Sequence, residues 1–94
     1  MALNHITFTI GTSPTLLLTL GPKEPRTTIN IVNDDNNSIY VGDAEVSSSG
    51  INKGLTVKKD TVYEFELNAG DKLYAVAATA TAANAVSLLY STLF

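Results

Sequence analysis

Between Ser38 and Ala78 the chain reads SIYVGDAEVSSSGINKGLTVKKDTVYEFELNAGDKLYAVAA, short runs of alternating apolar and polar residues cut by glycine-marked turns. Alternation with a period of two places successive side chains on opposite faces of a strand, whereas a helix would repeat its apolar positions every three to four residues. Thr61 to Leu67 shows the pattern most clearly, with Tyr63, Phe65 and Leu67 on one face and Val62, Glu64 and Glu66 on the other. Asn68-Ala69-Gly70-Asp71 then turns the chain into Lys72 to Ala78, and the pair reads as a β-hairpin.

The same period continues on both sides. His5 to Ile10 sets Ile6, Phe8 and Ile10 against His5, Thr7 and Thr9, and Thr15 to Leu20 sets Leu16, Leu18 and Leu20 against Leu17. These two segments are expected to pair with each other across Gly11-Thr12-Ser13-Pro14. Gly21 to Arg26, with two prolines, breaks the pattern, because proline donates no ladder hydrogen bond. Thr27 to Val32 resumes it and ends in the polar run Asn33 to Asn37, an Asx-rich turn. Ser38 to Val41, a brief extended piece at Ala44 to Val46, a weak strand within Ile51 to Val57, and Val86 to Tyr90 complete the set. The alanine and threonine tract Thr79 to Ala85 reads as a helix on alanine propensity or as a loop on its threonines and missing apolar stripe. About eight short strands with turn signals every 8 to 12 residues predict an all-β fold, an antiparallel β-sandwich or small jelly-roll-like barrel, as a single domain over residues 1–94.

A domain of 94 residues buries a small core, and without cysteine it has no disulfide staples, thiolate metal ligands or cysteine nucleophiles. Charged residues make up 16% of the chain and apolar ones 45%, a lean surface that favours assembly. A net charge of −3 with scattered lysines argues against nucleic acid as a partner, since phosphate neutralisation needs a concentrated basic face. Met1 to Ser13 has no basic n-region and no long apolar core, so no secretory signal is read there, and Leu16-Leu17-Leu18 is far short of a membrane span.

No residue set supplies chemistry. His5, the one histidine, lies on the threonine face of its strand, where a solvent-facing role outweighs a general base. Asp34, Asn36, Ser38 and Glu45 fall at positions 1, 3, 5 and 12 of a calcium loop, but Ile39 stands where such a loop needs glycine, and the turn reading wins. Asn36-Asn37-Ser38 matches a glycosylation acceptor, relevant only in a secretory pathway. Glu64 and Glu66 sit about 7 Å apart on a strand face, where ion pairing with Lys58, Lys59 and Lys72 explains them better than hydrolysis. Ser47, Ser48 and Ser49 lack a nucleophile elbow, and Gly50 and Gly54 form no phosphate-binding pattern. No catalytic residue, cofactor or metal is assigned.

The stretches Ile39-Tyr40-Val41-Gly42 and Gly70-Asp71-Lys72-Leu73-Tyr74-Ala75-Val76-Ala77, with a Ser/Gly-rich turn between them, resemble small bacteriophage virion proteins of the β-sandwich decoration, minor capsid or tail-associated kind. The resemblance covers roughly Thr27 to Leu89 and implies a fold and a setting. It implies a non-catalytic capsid decoration protein, located on the virion after assembly in the host cytoplasm, whose partners are itself and the major capsid or other virion proteins. A homo-oligomer, with a trimer favoured, would complete the small core at its interfaces. Leu3, Leu17, Tyr40, Tyr74, Leu93 and Phe94 are the candidate interface residues. The alternative is a tail- or fibre-associated module that binds carbohydrate or a cell surface through Tyr40 and Tyr74, both out of phase with the main apolar set of their strands.

Overall fold

A computed structural model of the chain describes residues 2–21 and 27–92, with side chains described for 4–21 and 27–90. Eight strands run in order β1 (Ala2–Phe8), β2 (Thr15–Thr19), β3 (Thr27–Asn33), β4 (Ile39–Gly42), β5 (Leu55–Val57), β6 (Thr61–Leu67), β7 (Lys72–Ala77) and β8 (Val86–Thr92). They form two four-stranded antiparallel sheets, β1-β8-β3-β6 and β2-β7-β4-β5. This order is the double Greek key of a jelly roll, and the all-β expectation holds.

The inner faces follow from the alternation. In β3, Ile29 and Ile31 point inward with Thr27 and Asn33, and in β8 Val86 and Leu88 do the same. Ile39, Val41, Val57, Leu73, Ala75 and Ala77 answer them from the second sheet, and all join one buried cluster. Mixing large branched side chains with two alanines lets the layers interdigitate. β5 lies against β6, so those two strands form one rim of the sandwich and β1 and β2 the other.

Neither expected hairpin exists. β1 pairs with β8 and β2 with β7, and the Asn68–Asp71 turn carries the chain from β6 in one sheet to β7 in the other. Turn chemistry at Gly70, whose φ is +83°, sets the reversal but not which strand receives the hydrogen bonds. Three boundaries also move. β1 starts earlier than His5 and ends at Phe8, Ala44 to Val46 is a turn ending in a buried valine, and only Leu55–Val57 of the Ile51 to Val57 segment is a strand. The Thr79 to Ala85 tract is a loop.

One end of the sandwich is closed by a polar network. Asn33, wholly buried, donates from Nδ2 to the carbonyls of Asn37 (2.9 Å) and Val57 (3.0 Å), and its Oδ1 accepts from the Asp35 amide at 2.9 Å. Asp35 in turn accepts from the amides of Asn37 and Ala82, each at 2.8 Å. The Ile10 amide donates to Thr81 Oγ1 at 2.9 Å, while the Thr81 amide donates to the Ile10 carbonyl at 2.8 Å. Four connections are thereby tied together without a disulfide, and each buried polar atom in the set has a partner.

The Ala82 and Asn37 amides hold the Asp35 carboxyl below its ordinary value of 3.8, with the Lys59 charge a lesser contributor. A carboxyl lowered in the folded state adds stability that is complete above its unfolded value and is lost as pH falls through the folded one. The Asp35→Asn variant is therefore expected to melt lower at neutral pH and to lose less stability on acidification than the parent, a comparison read from melting temperature across the acid range. At the other end, a Cβ on Gly54 would lie 2.4 Å from the Val41 carbonyl oxygen and 2.5 Å from a Val46 methyl, whereas one on Gly11 would meet nothing within 4 Å. Gly54→Ala should cost about 1–3 kcal/mol by overpacking and Gly11→Ala close to nothing, as measured by chemical denaturation.

Candidate interaction surface

Every Asp, Glu, Lys and Arg lies between Lys23 and Lys72 in the chain. The topology converts that linear fact into a spatial one, because β1 neighbours β8 in one sheet and β2 neighbours β7 in the other, on the same side of the sandwich. Half of the molecule, the half ending in the β1/β2 rim, therefore has no charged side chain on its strands except Lys72 at the start of β7. The described charges otherwise sit on β6, on the connections around β3, β4 and β5, and at Asp71 in the β6–β7 turn, whose carbonyl accepts from the Leu20 amide.

Large apolar side chains stand exposed on the charge-free half. Leu16 lies on the outer face of β2 opposite Tyr74, and Leu89 lies on the outer face of β8 opposite His5. Ile6 faces inward opposite Leu88 yet remains 36% exposed at the edge of its sheet. β1 is an edge strand with seven residues in unbroken register and neither proline nor charge to guard it. β2 is interrupted by a bulge between Leu16 and Leu18.

That bulge corrects the phase of the second strand. Leu17, expected on the outer face as an interface residue, is 5% exposed and packs in the core with Leu20, while Leu16 is 45% exposed. An extra residue in a strand reverses the facing of what precedes it, and no sequence pattern marks where it falls. Tyr40 and Tyr74 do share the outer face of the second sheet, as diagonal neighbours on β4 and β7, since Tyr40 opposes Val76 and Gly42 opposes Tyr74. Both are half-buried, and the Lys53 ammonium sits 5.6 Å from the centroid of the Tyr40 ring, within cation–π range. Leu3 falls on β1 opposite Ser91, but its side chain is outside the described residues, as are Leu93 and Phe94 entirely.

The remaining sequence candidates disperse. His5 is exposed on β1, and Glu64 and Glu66 oppose Asn30 and Thr28 on the outer face of the first sheet. Asp34 and Glu45 lie beyond opposite ends of β4, so the calcium-loop positions do not converge. Among the described residues no group of three or more His, Cys, Asp or Glu is placed to hold a metal ion. An open cleft of about 350 Å³ lies at the β4–β5 connection, lined by Val41, Asp43, Val46, Asn52, Lys53 and Leu55 among others. What the sequence patterns missed is the charge-free half itself and the fully exposed Ile51; the first was signalled by the distribution of charge along the chain, and the second by an isoleucine amid serine, glycine and asparagine.

No family model matches the chain, and neither does any curated protein. Its structure is similar to a solved structure described as "Bacillus endospore appendages form a novel family of disulfide-linked pili", with a TM-score of 0.61 and 11% identity over 99% of this chain and 87% of that one. At that identity the likeness concerns the fold. The 94 residues contain no cysteine, so none of them can take part in a disulfide link.

Leu17→Ala is expected to cost about 2–5 kcal/mol, the range for a leucine truncated in a core, and Leu16→Ala well under that. Equal losses at the two positions in denaturant titrations would contradict the bulged register.

Proposed function

We propose that the protein is a non-catalytic structural subunit that works by packing against copies of itself and against other components of a larger particle. The observation that carries this reading is the β1/β2 half of the sandwich, where Lys72 is the one charged residue on the strands, with exposed Ile6, Leu16 and Leu89 and the unguarded edge strand β1. Burying such a surface removes apolar area from water with little charge to desolvate, which favours a stable subunit interface.

The setting rests on likeness. The resemblance of the Ile39–Gly42 and Gly70–Ala77 stretches to phage virion proteins supports a capsid decoration subunit on the virion surface, bound to the major capsid or a neighbouring virion protein. The similarity in fold to an endospore appendage structure supports a filament subunit instead. Both are repeated assemblies in which one small β-sandwich contributes contacts rather than chemistry.

A carbohydrate-binding reading draws on Tyr40 and Tyr74 sharing one outer face. Against it, Lys53 already occupies the space over the Tyr40 ring, which a sugar stacking there would have to displace.

Light scattering over rising protein concentration tests the assembly reading. The parent protein is expected to increase in mass, and Leu89→Glu to shift that transition about tenfold upward, equivalent to about 1.4 kcal/mol, with no change in melting temperature. Val62→Glu, at an exposed position of β6 on the charged half, should leave association unaltered. A parent that stays monomeric throughout would remove the proposal.

A further inference from the structure

A sheet edge dictates the chemistry of what can cover it, because its outermost strand presents backbone N–H and C=O groups that another extended segment pairs in register. Among the described strands there are four such edges: β1 and β6 border the first sheet, β2 and β5 the second. They differ in what they could accept. β5 has three residues, and the ladder of β2 is broken by the bulge between Leu16 and Leu18. β6 has seven residues but carries Glu64 and Glu66 on its outer face. β1 also has seven, holds an unbroken register with β8, and contains no proline, Asp, Glu, Lys or Arg.

Pairing a strand antiparallel with its own copy places a two-fold axis on it, so that opposed positions lie equally far before and after one central residue and share the same phase of the alternation. Inner-facing residues then meet inner-facing ones, and the two sheets run on as one. Overlap of all seven residues of β1 puts the axis at His5: His5 opposes itself, Asn4 opposes Ile6, Leu3 opposes Thr7 and Ala2 opposes Phe8. The same operation on β6 sets Glu64 opposite itself with Glu66 diagonal to it, and like charges facing each other across a ladder are destabilising. Of the four edges, β1 alone combines length, regularity and freedom from self-repulsion.

Burial along the strand points the same way. His5, Ile6 and Thr7 are consecutive and all exposed, on both faces of the strand. Ile6 faces inward opposite the buried Leu88, yet its own chain leaves it exposed. In the two-fold register Ile6 of each copy is a diagonal neighbour of Ile6 of the other, so the two side chains cover one another and extend the buried layer across the junction. The charges nearest this rim, Lys72 opposite Thr19 and Asp71 bonded through its carbonyl to the Leu20 amide, belong to the second sheet and not to the strand that pairs.

We propose that β1 is a dimerisation edge, which pairs antiparallel with β1 of a second copy about a two-fold axis at His5 and joins the two four-stranded sheets into one of eight. The proposal rests on the self-assembly reading above and names its contact. The occupant is a second copy because symmetry by itself supplies a partner of the same length, in the right phase and without opposing charge.

Sedimentation equilibrium on the full chain tests it with His5→Glu and His5→Lys. The position is exposed, so both variants should melt at the parent temperature when all three are dilute enough to be monomeric. Each variant alone sets like charges against each other at the axis and is expected to raise the association midpoint about fivefold. An equal mixture of the two is expected to return to the parent midpoint or below it, because opposite charges then meet where the position faces its own copy. Variants that associate as the parent does would overturn the β1 pairing while leaving self-assembly standing. A mixture that associates no better than either variant alone would overturn the two-fold register. A parent that stays monomeric would overturn this proposal and the self-assembly reading together, and would leave β1 to an extended segment of another protein.

Discussion

The packing of Ile29, Ile31, Val86 and Leu88 from one sheet with Ile39, Val57, Leu73, Ala75 and Ala77 from the other is the interaction on which the remaining structure depends. In a chain of this length with no cysteine, that layer is the main source of stability. It also dictates the topology. The central strands β3, β4, β7 and β8 carry most of the fully buried side chains, and the N-terminal strands β1 and β2 flank them on one rim. Contacts far apart in sequence must therefore form together, and the Asn33, Asp35 and Thr81 network locks the connections only once they have done so.

Placing charge within this frame divides the molecule. Strands β1, β2, β7 and β8 come from the two ends of the chain and carry a single charged residue, Lys72, and the jelly-roll order sets them side by side. The result is a sandwich whose described charges gather on one side, with Lys72 the one charged residue on the strands of the other.

Much of the architecture was legible in local alternation. Thr27 to Val32 and Thr61 to Leu67 announced their inner faces correctly, since a strand buried on one side must repeat every second residue. The partners of those strands were not legible, because Gly11 to Pro14 and Asn68 to Asp71 specify a reversal in either a hairpin or a crossover between sheets. The facing of Leu16 and Leu17 was misread for a similar reason: a bulge is decided by how β2 meets β7, not by the leucines themselves. Tyr40 and Tyr74 were placed on an outer face by their phase, and they are there. The ordered β4–β5 connection, 43–54, escaped notice because its order comes from backbone hydrogen bonds that any polar loop sequence could make.

The central claim is that the charge-free side is what meets other copies, and backbone amide hydrogen exchange compared between dilute and concentrated protein addresses it most directly. Exchange is expected to slow with concentration in residues 2–8 and 15–19, with the outer face of β6 unchanged. Slowing confined to the charged side, or exchange independent of concentration everywhere, would contradict it.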